Sequence, residues 1–81
     1  MHLHTNIKLL RTMRKRTCDE VAHTLEVKRT RLSGWENGQS EPDISHLVKL
    51  GIYYRLSLDI LIATDLTTMR PSQIEELQRS Y

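Results

Sequence analysis

Between Thr17 and Glu36 the chain has room for two short helices joined by a tight turn, and this stretch limits what the rest can do. Thr17 followed three residues later by Glu20 forms a capping box, in which a hydroxyl and a carboxylate each satisfy a free backbone N–H at a helix start. Val21, Ala22 and Leu25 then set one apolar face over two turns, and Glu26 breaks it. A second helix follows with Leu32, Trp35 and Glu36 on its inward side. Lys28, Arg29, Thr30, Arg31 and Ser33 occupy its start and outward side, which leaves cations and hydroxyls directed at an external surface.

The flanking segments are helical as well. Thr5 or Asn6 caps a first helix over about 6–16, with Ile7, Leu10 and Met13 or Arg14 along its inner stripe. The run Arg14-Lys15-Arg16 closes it, where cations suit the negative helix end, and is read as a solvated terminus that adds long-range attraction. Asn37-Gly38-Gln39-Ser40-Glu41-Pro42 is the strongest break in the chain, because Asn-Gly favours positive φ and Pro42 disfavours helix before it.

Asp43 caps a helix over 44–54 with Ile44, Leu47, Leu50, Gly51 and Tyr54 facing inward. Gly51 is tolerable there if another segment packs closely against it. Ser57 and Asp59 start a short helix over 58–63 that is apolar nearly all round. One small core cannot take all of those side chains, so Ile60 and Ile62, with Ile52 and Tyr53, are expected to form a surface buried against a second copy. Residues 65–71 read as a linker, and Ser72 with Glu75 as a capping box for a tail helix. That tail ends without a cap, as if the chain continued or the tail folded against a partner protein. Nothing alternates with the period of a strand, so the fold class is all-α.

Composition narrows the function classes. Eighty-one residues with 38% apolar content make one small domain. A single cysteine, Cys18, offers no internal disulfide and suits a reducing, cytoplasmic setting. No apolar run reaches membrane-spanning length, so no membrane partner is expected. His2, His4, His23 and His46 have no metal-site spacing, and there is no phosphate loop or nucleophile-base set, so neither cofactor, metal nor enzyme chemistry is expected. Charge is uneven. Lys8, Arg11, Arg14, Lys15, Arg16, Lys28, Arg29 and Arg31 face only Asp19, Glu20, Glu26 and Glu36 in the first half, whereas acids outnumber cations after residue 40. An anionic partner would meet the first half.

In order and spacing, Ile7-Lys-x-Leu10-Arg11, Glu20-Val-Ala22-x-x-Leu25-x-Val27, Leu32-Ser-x-Trp35-Glu36-Asn37-Gly38, Ser40-Glu41-Pro42, Leu47-x-x-Leu50 and Leu56-Ser-Leu58-Asp59-x-Leu61 resemble the Cro/repressor type of helix-turn-helix domain, often called the XRE family. The resemblance implies a five-helix, lambda-repressor-like domain over 1–66, with 67–81 as linker and tail helix. It implies a transcriptional regulator, a repressor, whose 28–36 helix enters the major groove of double-stranded DNA while the 18–25 helix crosses above the backbone. By matching position, Arg29 and Thr30 read bases, with Arg29 bidentate to guanine and Ser33 adding a weaker contact. Thr17, Cys18, Lys28, Arg31, Asn37 and Gln39 match phosphate-contacting positions. Arg11 and Glu36 match a pair beneath the recognition helix, and the regulator is expected to bind as a homodimer.

Three positions depart from that pattern. Cys18 stands where a glutamine usually braces a phosphate, Glu26 replaces the turn glycine, and Gly34 stands where a long polar side chain usually reaches DNA. Direct readout is therefore expected to be short, leaning on phosphates and DNA shape. The alternative reading is an antitoxin or interaction module whose C-terminal tail binds a partner protein, with DNA binding for autoregulation.

Overall fold

Helix starts are where side chains act first. The computed structural model describes residues 1–81 as α1 (Leu3–Met13), α2 (Cys18–Leu25), α3 (Arg29–Glu36), α4 (Ile44–Tyr54), α5 (Leu58–Ala63) and α6 (Pro71–Arg79), with a 3-10 turn at Leu66–Thr68. Thr17 and Glu20 form the complete capping box, Glu20 N–H donating to Thr17 Oγ1 at 3.2 Å and Thr17 N–H to Glu20 Oε1 at 2.8 Å. Asp43 accepts from His46 N–H at the start of α4, and Ser57 from Ile60 N–H at the start of α5. No strand is present.

Packing follows the apolar stripes. Ile7 and Leu10 of α1, Val21 and Leu25 of α2, Leu32 and Trp35 of α3, Leu50 and Tyr54 of α4, and Leu61 of α5 are buried in one core. Gly51 is buried because the turn after α4 comes back over it: a Cβ there would lie 3.1 Å from both the Leu56 carbonyl and Leu58 Cδ2.

Several boundaries differ from the sequence expectation. α1 begins and ends three residues early, at Leu3 and Met13, and neither Thr5 nor Asn6 caps it. Asn6 is fully buried instead. α5 is six residues long, so its last carbonyls find no partner within the helix. Asn6 Nδ2 donates to Leu61 O at 2.8 Å and Thr64 O at 2.6 Å, and Asn6 Oδ1 accepts from Leu66 N–H at 3.1 Å. His2 N–H completes the set by donating to Ile62 O at 2.8 Å. The start of α1 thus serves as the C-terminal cap of α5.

The 65–71 segment is no free linker. Leu66 is buried, Met69 packs against the core, and α6 starts at Pro71, whose fixed φ and missing N–H suit a first helical position. Arg70 is the N-cap residue, its N–H donating to Gln73 Oε1 at 2.8 Å, which leaves Ser72 and Glu75 inside the helix. Ile74 is buried in the shared core, and Gln78 Nε2 donates to Tyr54 O at 2.8 Å. The apolar face of the tail is therefore spent on its own domain.

The apolar surplus also falls elsewhere. Ile60 and Ile62 are half-buried against the core, whereas Ile44, expected inside, is exposed. Ile44 lies four residues before Val48 and eight before Ile52, on the side of α4 turned away from Leu50 and Tyr54.

Three capping carboxylates should make the fold less stable in acid. Glu20 lies below the usual carboxylate range chiefly because it accepts the Thr17 N–H, Asp43 because it accepts the His46 N–H, and Asp65 because it accepts from the Thr67 hydroxyl. Each group is lower in the folded than the unfolded chain, so it stabilises above the ordinary value of about 4 and loses that contribution as pH falls through the folded value. The urea midpoint is expected to drop between pH 5 and pH 3. In Asp43→Asn/Asp65→Asn, where the caps remain but no longer titrate, the drop should be smaller. An unchanged drop would remove these two groups from the acid response.

Candidate nucleic-acid interface

The second and third helices meet through a turn that has no glycine. Glu26 adopts φ 60 and ψ 41, and its N–H and that of Val27 return to the end of α2. The left-handed conformation costs a non-glycine residue about 1 kcal/mol, which the packing of Leu25 and Leu32 on either side must offset. Lys28 is the N-cap of α3 and makes no side-chain cap bond, so its ammonium stays exposed at the helix start.

The opposite face of α3 is locked. Trp35 and Leu32 are buried, and Glu36 accepts a bidentate pair of bonds from Arg11: Nε to Oε2 at 2.9 Å and Nη2 to Oε1 at 3.1 Å. The side chains are 15% and 3% exposed, so the pair lies inside the domain. Arg11 also donates from Nη1 to Arg16 O at 2.9 Å, which ties the end of α1 to the same anchor. Glu36 pulls the Arg11 guanidinium pKa up through this hydrogen bond. The structure thus brings Arg11 and Glu36 together.

The outward face of α3 carries Arg29, Thr30 and Arg31 exposed and Ser33 half-buried. Arg29 Nε sits 3.4 Å from Asp19 Oδ1 on α2, with its side chain 58% exposed. Arg31 Nη2 lies 3.9 Å from Asp43 Oδ2, and its guanidinium is 5.6 Å over the Trp35 ring. Both arginines of this outward face are therefore held loosely by a carboxylate from a neighbouring helix start. Asn37 Nδ2 donates to Ser33 Oγ at 3.3 Å, and Gln39 is exposed in the turn after α3.

Two of the departures look different in three dimensions. The Cys18 thiol points inward, with Sγ 3.7 Å from Glu36 Oε1, and burial followed by the nearby Glu36 charge pushes its pKa up. The residue is half-buried, and its backbone amide stands at the start of α2. Gly34 is buried, and a Cβ there would stand 3.0 Å from Ser40 Oγ. It faces the exposed Ser40 and Gln39 side chains of the turn after α3, which close over the position.

Sequence reasoning did not find Asp19 and Asp43 as partners of the two arginines. It also treated Arg14 as a solvated cation. Arg14 Nη1 donates to Tyr53 O at 3.2 Å, and its guanidinium lies 5.5 Å and 5.6 Å over the Tyr53 and Tyr54 rings. No local spacing marks these pairs, since each joins different helices.

The model of the family described as Helix-turn-helix matches residues 7–61, from α1 to α5. No curated protein and no solved structure matches the chain. No helix is long and apolar enough to cross a membrane.

Proposed function

The chain belongs to the helix-turn-helix family of the Cro/repressor type, a family of DNA-binding regulators, and from that premise we propose that it is a repressor that inserts the start of α3 into the major groove of double-stranded DNA. One observation carries this reading: Arg29 and Thr30 stand exposed on the first turn of α3 while Trp35, Leu32 and the Arg11–Glu36 pair hold its other face. Repression by occupancy asks nothing of the chain beyond binding, which is why that role is adopted.

In this reading Arg29 leaves Asp19 to donate two bonds to one guanine, with Thr30 and Ser33 beside it. Lys28, Arg31, the Thr17 hydroxyl, the Cys18 amide, Asn37 and Gln39 take phosphates and set the register. Two copies bind a palindromic site with α3 helices about one turn, ~34 Å, apart.

Arg29→Ala is expected to weaken binding to a selected site by about 1 to 3 kcal/mol, roughly 5- to 150-fold, and random duplex far less. Lys28→Ala should weaken both alike and reduce the salt slope by about 1. Gel shifts at two salt concentrations separate the two behaviours. Equal loss on both DNAs for Arg29→Ala would make that residue a phosphate contact.

A further inference from the structure

Apart from Met1 and Tyr81 at the chain ends, every exposed large apolar side chain lies on one line of α4: Ile44 at 76%, Val48 at 42% and Ile52 at 61% exposure. The line runs i, i+4, i+8 along an 11-residue helix and is symmetrical about Val48, isoleucine on either side. We infer that this stripe is the seam of a homodimer in which two copies of α4 pack antiparallel, each Val48 against the other, each Ile44 against the partner's Ile52. The inference deepens the dimer part of the proposed function and rests on that reading only for its biological purpose.

Shape, charge and accounting of the chain favour a second copy. Ile44 projects at the start of the helix. At the other end, Ile52 lies in a shallow hollow of about 280 Å³ shared with Thr24, Leu25, Glu26, Lys49 and Tyr53. Antiparallel pairing sets each projecting Ile44 at a partner hollow, and a two-fold axis uses both. The helix is also charged asymmetrically, with Glu41 and Asp43 before its start, Asp43 already beside Arg31, and with Lys49 and Arg55 toward its end, where Glu26 shares the hollow. Antiparallel alignment sets acid against base, and parallel alignment sets like on like. The apolar face of α6 does not cover the stripe, because Ile74 is buried in the core.

The stripe is narrow for the about 1,600 Å² that a stable interface buries, so association is weak in free solution. A palindromic site that holds two copies together raises their effective concentration and closes the seam.

Cysteine crosslinking in a Cys18→Ser background tests the seam without DNA, so its failure and failure of the DNA reading are separate results. Under mild oxidation at high protein concentration, Val48→Cys should form a disulfide-linked dimer many-fold faster than an α6 surface control, Glu75→Cys. Ile44→Cys and Ile52→Cys should crosslink poorly alone and readily when mixed. In sedimentation, Val48→Asp should remain monomeric where the unsubstituted chain associates, with an unchanged helical circular dichroism signal. Val48→Cys no faster than the control, or Ile44→Cys linking to itself as fast as Val48→Cys does, overturns the arrangement. A strictly monomeric unsubstituted chain assigns the stripe to a different protein and overturns the inference.

Discussion

Asn6→Ala is expected to destabilise the domain by about 3 kcal/mol, as much as a quarter to a half of what a domain of this size holds in reserve. The side chain serves Leu61 O, Thr64 O and Leu66 N–H together, and both its bond to Leu61 and its bond to Leu66 are buried. Removing it strands a buried acceptor and a buried donor, each costing about 1 to 3 kcal/mol, with Thr64 O closer to water. Asn6→Asp keeps the acceptor for Leu66 but sets a carboxylate against two carbonyl oxygens. Its folded pKa should rise, so that variant should regain stability as pH falls, opposite to the trend expected of the unsubstituted chain. Thr5→Ala, which loses only an exposed bond to His2 O, should stay within about 0.5 kcal/mol. Urea unfolding followed by circular dichroism reads all three. A cost below about 1 kcal/mol for Asn6→Ala would mean that water satisfies those groups and that α1 does not cap α5.

Arg11→Met is expected to cost about 3 to 5 kcal/mol, because it leaves the Glu36 carboxylate buried without its counter-charge. Glu36→Met should be similarly harmful, since the Arg11 guanidinium then keeps only its bond to Arg16 O. The double variant should be less destabilised than the sum of the two by about 2 kcal/mol or more, an apolar pair replacing an ionic one. The pair also holds the end of α3, so Arg11→Met should weaken DNA binding where the variant is still folded, although Arg11 lies beneath α3 and away from its outward face. Additive single costs would show that the two side chains act separately.

Much of this architecture was legible because helix starts are local. Thr17 with Glu20, Asp43 and Ser57 each act within three residues, and each caps the helix expected of it. The stripes of α2 and α3 were legible for the same reason. Asn6 was not, because its partners lie 55 to 60 residues away and only the folded chain brings them close. Its short polar side chain reads equally well as a cap, and that local reading placed the start of α1 three residues late. The tail failed through a competing signal: Ser72 and Glu75 have capping-box spacing, but Pro71 fixes the first turn two residues earlier, with Arg70 as the N-cap. Ile44 failed because periodicity does not say where along a helix the core ends.

At the candidate interface, composition and position sufficed to place Arg29 and Thr30 on an outward first turn. What held those side chains did not show, since Asp19 and Asp43 come from other helices. Gly34 points to the same limit. A glycine on a helix can mark a missing outward side chain or a close approach, and the nearness of Ser40 from the following turn is visible only in the folded chain.

The central claim is that α3 reads duplex DNA through Arg29, and selection of bound sites from a random duplex pool, run in parallel with Arg29→Ala, tests it most directly. The expected result is a palindromic motif containing a guanine in each half-site, with preference at that position lost in the variant and the rest of the motif retained. No enriched motif, or the same guanine enriched equally strongly by Arg29→Ala, would contradict it.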